Sequence, residues 1–397
     1  MIYIKNADVF DPQPQGLCNL LIAGRKIVSI SKEAIILPDN LDVQEVDLQG
    51  AKLVPGFIDG HAHVTGGGGE TGFASQVPPV PISDFTGAGV TTVVGLLGTD
   101  DTTRSIESLV ARTYALREEG MSAYCWTGGY HFPLTTLVGS AKKDIVYLDP
   151  VIGIGEFAIS DHRSSQPTFN EVIRLASEAH VAGLMTNKAG VIHFHLGDGD
   201  RKLALIEQAL NETEIPARTF NPTHVNRNKG LFDSACELVK RGCYIDITAF
   251  PEGSFGHPSD EDLGVIVGIE AAPAVAMAIA RKLPLERITI SSDGGGCLPN
   301  FDRNGELVSV GFGRAQTLIE TIIAALKLAV PLQVILPMLT SNVATLLRFE
   351  HKGQVKVGFD ADLVVLDDQF AISDVMALGV WHKRSSKMLI KGMFEKD

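Results

Sequence analysis

The stretch Leu53-Val54-Pro55-Gly56-Phe57-Ile58-Asp59-Gly60-His61-Ala62-His63 runs from apolar residues into two histidines. In an extended strand, side chains two residues apart point the same way, so His61 and His63 face one point. Neutral imidazole is the commonest protein ligand for transition metals, and this pair would make half of a metal site. The glycines at 66–69 let the backbone turn sharply, and Glu70 follows as a carboxylate that can meet a substrate cation. A solvated histidine pair before a flexible loop is the alternative interpretation.

The composition indicates a globular protein rather than a binder of polyanions. The chain has 397 residues, which fits one large domain and one small domain. Its net charge is −13 and it contains no basic run, which argues against nucleic acid and anionic membranes as partners. Five scattered cysteines without a Cys-x-x-Cys pair argue against a disulfide framework. Without a signal peptide or an apolar run of about 18 residues, we predict a cytoplasmic, soluble protein.

Strands alternate with helices through the middle of the chain. The eight apolar runs are Leu53–Ile58, Thr91–Leu97, Ala123–Thr127, Val151–Ile159, Val191–Leu196, Phe220–Val225, Tyr244–Phe250 and Ile288–Ser292. Helical patterns separate most of them, and two more, Thr317–Leu328 and Gln333–Leu347, follow. This rhythm predicts an α/β fold, a (β/α)₈ TIM-like barrel over residues 55–351. A doubly wound sheet usually has a Gly-x-Gly-x-x-Gly turn after its first strand, and none occurs here.

Both ends of the chain have β-type patterns. Residues 1–54 contain short strands and a hairpin that turns near Gly24, and residues 352–397 contain a turn and further short strands. Two such segments flanking a barrel would most simply join each other. We therefore predict a small β-sandwich domain formed by residues 1–54 and 352–397.

Ligand-type side chains recur where the predicted barrel strands end, which is where active sites of such barrels lie. They are His61, His63, Glu156, His193, His195, His224 and Asp293. We expect Asp293 to join His61 and His63 on one metal ion, and His195 and His224 to hold a second. Glu156, the one charge in an apolar strand, would bridge both ions, although a buried salt bridge is its alternative role. Two ions about 3.5–4 Å apart commonly activate a bridging water for hydrolysis.

Two choices remain open at this site. Either His193 or His195 has suitable spacing, and His195 is favoured because it is nearer the end of its strand. His193 would then be a hydrogen-bonded core histidine. Histidine and carboxylate ligands suit zinc best, while manganese, cobalt and iron also fit.

These features resemble the amidohydrolase superfamily. Within it, four segments are similar to the isoaspartyl dipeptidases. They are Asp59-Gly60-His61-Ala62-His63 with the glycines and Glu70, Ala158-Ile159-Ser160-Asp161-His162-Arg163-Ser164, Pro222-Thr223-His224-Val225-Asn226-Arg227-Asn228, and Asp246-Ile247-Thr248. The resemblance spans nearly the whole chain. It implies a metal-dependent dipeptidase in which a metal-bridging hydroxide attacks the β-aspartyl amide bond. It also implies a homo-oligomer, with an octamer as the expected form.

The resemblance also implies roles for single residues. Asp293 would move a proton from the nucleophile to the leaving amine, and Tyr130 would stabilise the oxyanion. Glu70 would bind the substrate α-ammonium group in a pocket lined by Gly68 and Thr99. Arg163 and Arg227 would bind substrate carboxylates. Outside this motif context, the arginines would be interpreted as surface charges and Tyr130 as a core aromatic.

Two positions depart from the family pattern. Glu156 stands where many members have a carboxylated lysine, so the bridging carboxylate here needs no CO₂ but is shorter. Cys297 stands where a family serine helps to hold the substrate, and a thiol is the weaker hydrogen-bond donor.

Two other functions fit parts of this pattern. A different amide or cyclic-amide hydrolase of the superfamily would keep the metal ligands without needing Glu70, Arg163 and Arg227 together. A catalytically silent scaffold would have lost ligands, whereas all six candidates are present here.

Overall fold

The computed structural model describes residues 1–251, 253–254, 267–301 and 307–395. The described residues form nineteen strands: β1 (Ile2–Asp11), β2 (Gln13–Ala23), β3 (Lys26–Ser31), β4 (Gln44–Asp47), β5 (Lys52–Pro55), β6 (Phe57–Ala62), β7 (Val90–Gly95), β8 (Ser122–Thr127), β9 (Val151–Ile159), β10 (Ile192–Leu196), β11 (Phe220–Pro222), β12 (Ile245–Thr248), β13 (Ile288–Ser291), β14 (Cys297–Phe301), β15 (Leu307–Phe312), β16 (Leu363–Leu366), β17 (Ile372–Ala377), β18 (Val380–Arg384) and β19 (Lys387–Met388).

The same part of the chain contains ten α-helices: α1 (Ile82–Gly87), α2 (Ile106–Glu118), α3 (Ala141–Tyr147), α4 (Phe169–Thr186), α5 (Ala204–Glu212), α6 (Lys229–Lys240), α7 (Ala271–Ala280), α8 (Thr317–Lys327), α9 (Leu332–Leu339) and α10 (Ser341–Leu347). Local sequence explains several helix starts. Thr168 accepts a hydrogen bond from the backbone of Glu171, and the Glu171 side chain bonds back to Thr168, which is a capping box at the start of α4. No helix among these combines the length and the apolar character needed to cross a membrane.

The middle of the chain forms a curled parallel sheet in which strands follow one another in sequence order. Strands β6 to β11 make one six-stranded sheet, and β12 pairs with β13 in parallel. A parallel bridge from Ala62 to Gly294 brings the end of β13 beside β6. On the other side, the Val225 N–H donates to the Asp246 carbonyl at 3.4 Å. Helices separate successive strands, so the predicted alternation of parallel strands and helices is confirmed.

The two ends of the chain meet in a second sheet. Nine strands join in the order β19-β18-β17-β16-β5-β1-β2-β3, with β4 beside β1. Its apolar face encloses a separate small core that includes Ile4, Leu20, Ile22, Leu363 and Met376. Strand β5 joins the two ends, because it pairs in parallel with β1 on one side and antiparallel with β16 on the other. The chain ends therefore form a separate sheet domain, and its β-sandwich form stays a prediction.

Two predicted elements are divided in the structure. The run Leu53–Ile58, predicted as one strand, is split at Gly56 into β5 and β6, which belong to different sheets. A Cβ atom on Gly56 would lie 2.2 Å from the Thr91 hydroxyl, so the chain can cross there only without a side chain. The segment Gln333–Leu347, predicted as one helix, is broken between α9 and α10 because Thr340 has φ −136° and ψ −92°.

Candidate active site

The predicted metal ligands converge at the carboxyl end of the parallel strands. His61 lies near the end of β6, Glu156 within β9 and His195 within β10. The other three follow the strands β6, β11 and β13 by one or two residues: His63, His224 and Asp293. All six side chains are buried. Residues far apart in the sequence are therefore collected into one cluster by the parallel arrangement of the strands.

Glu156 stands at the centre of the cluster, and its two oxygens face different histidines. Oε2 lies 3.0 Å from His61 Nε2 and 3.7 Å from His63 Nε2. Oε1 lies 2.5 Å from His195 Nδ1 and 3.6 Å from His224 Nε2. One carboxylate thus connects two pairs of imidazole nitrogens, in the same grouping that the sequence predicts.

Asp293 belongs to the first of these pairs. Its Oδ1 lies 3.1 Å from His63 Nε2 and 3.3 Å from His61 Nε2. Both Asp293, with φ +53°, and His224, with φ +56°, have left-handed backbones that non-glycine residues seldom adopt. Such conformations concentrate at functional sites, where the surrounding structure holds them in place. A Cβ atom on Gly296 would lie 2.2 Å from Asp293 Oδ1, so glycine there leaves space for the carboxylate.

The buried histidines and carboxylates of the cluster shift one another's pKa values. Burial raises the pKa of Glu156, but the charges of His61 and His195 outweigh burial and hold it well below its usual range. Burial lowers the pKa of His61, but Glu156 and Asp293 outweigh it and hold the pKa well above its ordinary value. Burial lowers the pKa of His224 to about 3, so this ring is neutral at pH 7. In the protein alone, positive charge on an imidazole balances the carboxylates, and a bound cation can replace that charge.

Several buried polar atoms of the cluster lack a hydrogen bond within the described part of the chain. Among the described residues, Glu156 Oε2, Asp293 Oδ1 and His61 Nε2 are buried without a hydrogen bond of good geometry. The cluster contains three groups of possible ligand atoms, and the atoms within each group lie within 4.8 Å of one another. The groups are His61, His63 and Glu156; His61, His224 and Asp293; and Glu156, His195 and His224. Buried carboxylate and imidazole atoms without partners are costly, and a divalent metal ion satisfies them. The donor set therefore fits divalent metal.

His193 lies behind His61 rather than in the cluster. Its Nε2 is 2.8 Å from His61 Nδ1, and its Nδ1 is 2.7 Å from Asn221 Oδ1. Its ring stacks on Trp126 at 5.2 Å. Burial lowers the pKa of His193 to about 3, so the ring is neutral. With Asn221 Oδ1 accepting from Nδ1–H, His193 Nε2 accepts from His61 Nδ1–H. When a metal ion replaces the second proton of His61, the lone pair of the ring therefore lies on Nε2, toward Glu156.

A second group of predicted residues surrounds Glu70. Thr99 Oγ1 donates to Glu70 Oε1 at 3.1 Å, and Arg163 Nη1 lies 3.4 Å from the same oxygen. Burial and the Glu70 carboxylate together raise the pKa of the Cys297 thiol to about 12, so it stays protonated. Gly68, with φ +84°, passes so close that a Cβ atom there would be 3.4 Å from the Cys297 Cβ. The structure thus brings Gly68, Glu70, Thr99, Arg163 and Cys297 together.

Tyr130 and Arg227 flank the two groups. The Tyr130 hydroxyl lies 2.7 Å from His195 Nδ1, and Arg163 stacks over its ring at 5.6 Å. Burial raises the pKa of Tyr130 well above its ordinary value, with Glu156 as the next cause, while Arg163 and Arg227 oppose the rise. Arg227 Nη1 lies 3.6 Å from Asp198. Its buried Nε has no hydrogen-bond partner in the described part of the chain.

Three polar residues of the site are absent from the predicted set. Asn221 positions His193, and Thr248 Oγ1 lies 2.7 Å from His224 Nδ1. Asp161 contacts His195 Nε2 at 2.9 Å and also pairs with Arg163. Asp161 lies two residues after the end of strand β9, and this position is the available signal, since active-site residues of such sheets concentrate there.

Comparison with known proteins shows the family. The model of the amidohydrolase family matches residues 53–382. The chain belongs to the amidohydrolase family. A solved β-aspartyl dipeptidase from Fervidobacterium islandicum AW-1, in complex with a β-Asp-Leu dipeptide, is 39% identical with a TM-score of 0.89 and 98% of both chains covered. A second structure of β-aspartyl dipeptidase from that organism is 37% identical, with a TM-score of 0.86 and the same coverage. The predicted resemblance to an amidohydrolase dipeptidase is confirmed.

More distant similarities concern the fold or a part of the chain. Dihydropyrimidinase from Brevibacillus agri is 16% identical, with a TM-score of 0.65, over 98% of this chain and 96% of that one, and it shares the fold. A dihydroorotase from Clostridium acetobutylicum is 32% identical over 117 residues, which are 28% of this chain and 25% of that protein. The match therefore spans a quarter of the dihydroorotase.

Proposed function

We propose that this amidohydrolase hydrolyses the β-aspartyl bond of isoaspartyl dipeptides with two divalent metal ions, of which zinc suits the ligands best. His61, His63 and Asp293 would hold one ion, His195 and His224 the other, and Glu156 both. The arrangement of the Glu156 oxygens, with one facing each histidine pair, supports two ions. We further infer that strands β6 to β13 form a closed (β/α)₈ barrel over residues 55–351, with a small β domain from residues 1–54 and 352–397.

The observation that carries the choice of substrate is the position of Arg163. Its Nη1 lies 3.4 Å from Glu70, and its Nη2 lies 3.3 Å from Nε2 of the candidate ligand His195. The Arg163 guanidinium group therefore lies between the metal cluster and Glu70, the carboxylate that we assign to the substrate ammonium group. A small substrate with a free amine and carboxylates close to its scissile bond fits that separation. The relative that is 39% identical was solved with β-Asp-Leu, which has these groups.

The residues then have distinct tasks. When bound, the metal ions supply a water nucleophile that is active at neutral pH and polarise the amide carbonyl. Asp293 takes a proton from that water and transfers it to the leaving amine. Tyr130 stays protonated and donates a hydrogen bond to the developing oxyanion.

The substrate pocket fixes the two ends of the dipeptide. Glu70 binds the α-ammonium group in the pocket lined by Gly68, Thr99 and Cys297. Arg163 and Arg227 bind the carboxylates, for which a planar guanidinium is well suited.

Cyclic-amide hydrolysis is the second candidate, favoured by the local match to dihydroorotase. Steady-state kinetics with β-Asp-Leu and dihydroorotate, using protein reconstituted with Zn²⁺, separates the two. Turnover of β-Asp-Leu alone supports the proposal, and turnover of dihydroorotate alone refutes it.

We also propose a cytoplasmic homo-oligomer, with an octamer as the first expectation. The resemblance to the isoaspartyl dipeptidases supports this proposal. Light scattering coupled to gel filtration measures the state directly, and a monomer would contradict the proposal.

A further inference from the structure

The carboxylate of Asp161 contacts two residues of the site, His195 and Arg163. Oδ2 lies 2.9 Å from His195 Nε2 and accepts from Arg163 Nη2 at 2.7 Å. Oδ1 accepts from Arg163 Nε at 3.0 Å and from the Arg163 backbone N–H at 2.7 Å. The side chain lies against Gly197, where a Cβ atom would be 2.6 Å from Asp161 Oδ2. The carboxylate is therefore buried in a space shaped for it, between a candidate metal ligand and a candidate substrate-binding arginine.

The contact with His195 determines which ring nitrogen carries the proton. A carboxylate can only accept hydrogen bonds, so His195 Nε2 is the donor. By the same rule, Nδ1 donates to Glu156 Oε1 at 2.5 Å in the protein without metal. A metal ion held by Glu156 would take the place of the Nδ1 proton, and Asp161 would keep the other proton on Nε2, so that the lone pair of the ring faces the ion. A metal ligand must present a lone pair to the ion, and an outer carboxylate commonly fixes this tautomer.

The contact with Arg163 determines the plane of the guanidinium. Two parallel hydrogen bonds from Nε and Nη2 to one carboxylate give a bidentate pair, which restricts rotation of the group. Nη1 is left directed toward Glu70 at 3.4 Å. Asp161 also balances the arginine charge beside His195, whose Nε2 is only 3.3 Å from Arg163 Nη2.

We propose that Asp161 is a positioning residue that sets the metal-binding tautomer of His195 and the orientation of Arg163 at the same time. The substrate half of this inference rests on the proposed function, because Arg163 binds substrate there. The metal half does not, because it concerns only the ring of His195. Loss of the Asp161 charge therefore weakens metal binding and substrate binding together, by acting through His195 and Arg163.

The test is Asp161→Asn, which keeps the size of the side chain and removes its charge. Competition titration of the metal-stripped full-length protein with Zn²⁺ measures metal affinity without any substrate. We expect one of two ions to bind about 10- to 100-fold more weakly. In protein saturated with Zn²⁺, we expect KM for β-Asp-Leu to rise about tenfold or more, since the arginine is no longer held in its plane.

Asp144→Asn is the matched control. Asp144 is also a buried aspartate, but it accepts hydrogen bonds from Thr127 and from the backbone of Leu137 and Val138, outside the site. It should lower thermal stability and leave Zn²⁺ affinity and KM at the wild-type values. Gly197→Ala, which displaces the Asp161 carboxylate without changing any charge, should reproduce both Asp161→Asn effects and serves if that variant does not fold.

The outcomes separate the two proposals. Wild-type Zn²⁺ affinity or an unchanged KM in Asp161→Asn would overturn the role of Asp161. If the wild-type protein does not cleave β-Asp-Leu, the proposed function fails, and the Zn²⁺ titration still decides whether Asp161 sets the ligand tautomer.

Discussion

Replacing Glu70 by glutamine removes one negative charge from the substrate pocket and keeps the side chain's size. Glu70 Oε1 already accepts from Thr99 at 3.1 Å and faces Arg163 at 3.4 Å. Oε2 is buried and has no hydrogen-bond partner within the described residues. This second oxygen is therefore the acceptor that we assign to the substrate α-ammonium group. The variant also loses the ion pair with Arg163, but Arg163 keeps its bidentate pair with Asp161 and so stays in place, which leaves the ammonium contact as the main loss.

The expected magnitude follows from that one contact. A hydrogen bond to a charged group contributes about 1.5–3 kcal/mol. Because about 1.4 kcal/mol corresponds to a factor of ten, the loss corresponds to about a 10- to 150-fold rise in KM. The ammonium group is held alike in the ground state and the transition state, so kcat should change little.

The assay compares β-Asp-Leu with N-acetyl-β-Asp-Leu, which lacks the ammonium group. The wild-type enzyme should strongly prefer the free amine, and Glu70→Gln should lose most of that preference. Glu171→Gln, a change of the same kind in the capping box of α4, should keep it. An unchanged KM for β-Asp-Leu in Glu70→Gln, or an equal loss on both substrates, would refute the reasoning.

Three further substitutions test other parts of the site. Glu156→Gln places an amide N–H₂ against an imidazole pair, so metal analysis should show at least one ion lost and hydrolysis should fall by more than about 100-fold; full activity would exclude the bridging role. Cys297→Ser supplies a stronger donor worth about 1 kcal/mol, so KM for β-Asp-Leu should fall about fivefold, and a constant KM would remove Cys297 from the pocket. His193→Phe keeps the stack on Trp126 but removes the hydrogen bond to His61. Zn²⁺ affinity measured by titration should drop about 10- to 100-fold, whereas wild-type affinity would contradict the role of His193.

The fold was largely predictable because parallel strands are buried on both faces. β7 and β9 are buried at every position, and such strands give continuous apolar runs that can be recognised in the sequence. The break at Gly56 was not predictable from the run Leu53–Ile58, because both halves are apolar strands. What divides them is their pairing, with Pro55 opposite Leu363 and Phe57 opposite Val90. Such long-range pairing has no local signal.

Some residues of the candidate site were also predictable from the sequence, and others were not. His61, His63 and Glu156 stand out because histidine pairs and a lone charge interrupt apolar strands. Asn221 and Asp161 each contact a histidine of strand β10, and the local sequence does not indicate that contact. Asp161 follows a strand, where short polar residues are also ordinary turn residues. The family resemblance supplied roles for Glu70 and Arg163, but it did not show that Arg163 is held between two carboxylates.

Hydrolysis of β-Asp-Leu beside α-Asp-Leu tests the central claim most directly, with metal counted in the same sample of Zn²⁺-reconstituted protein. We predict cleavage of the β-linked dipeptide alone, with about two metal ions per chain. Cleavage of α-Asp-Leu at a comparable rate, or bound metal without cleavage of β-Asp-Leu, would contradict the assignment of this site to isoaspartyl dipeptides.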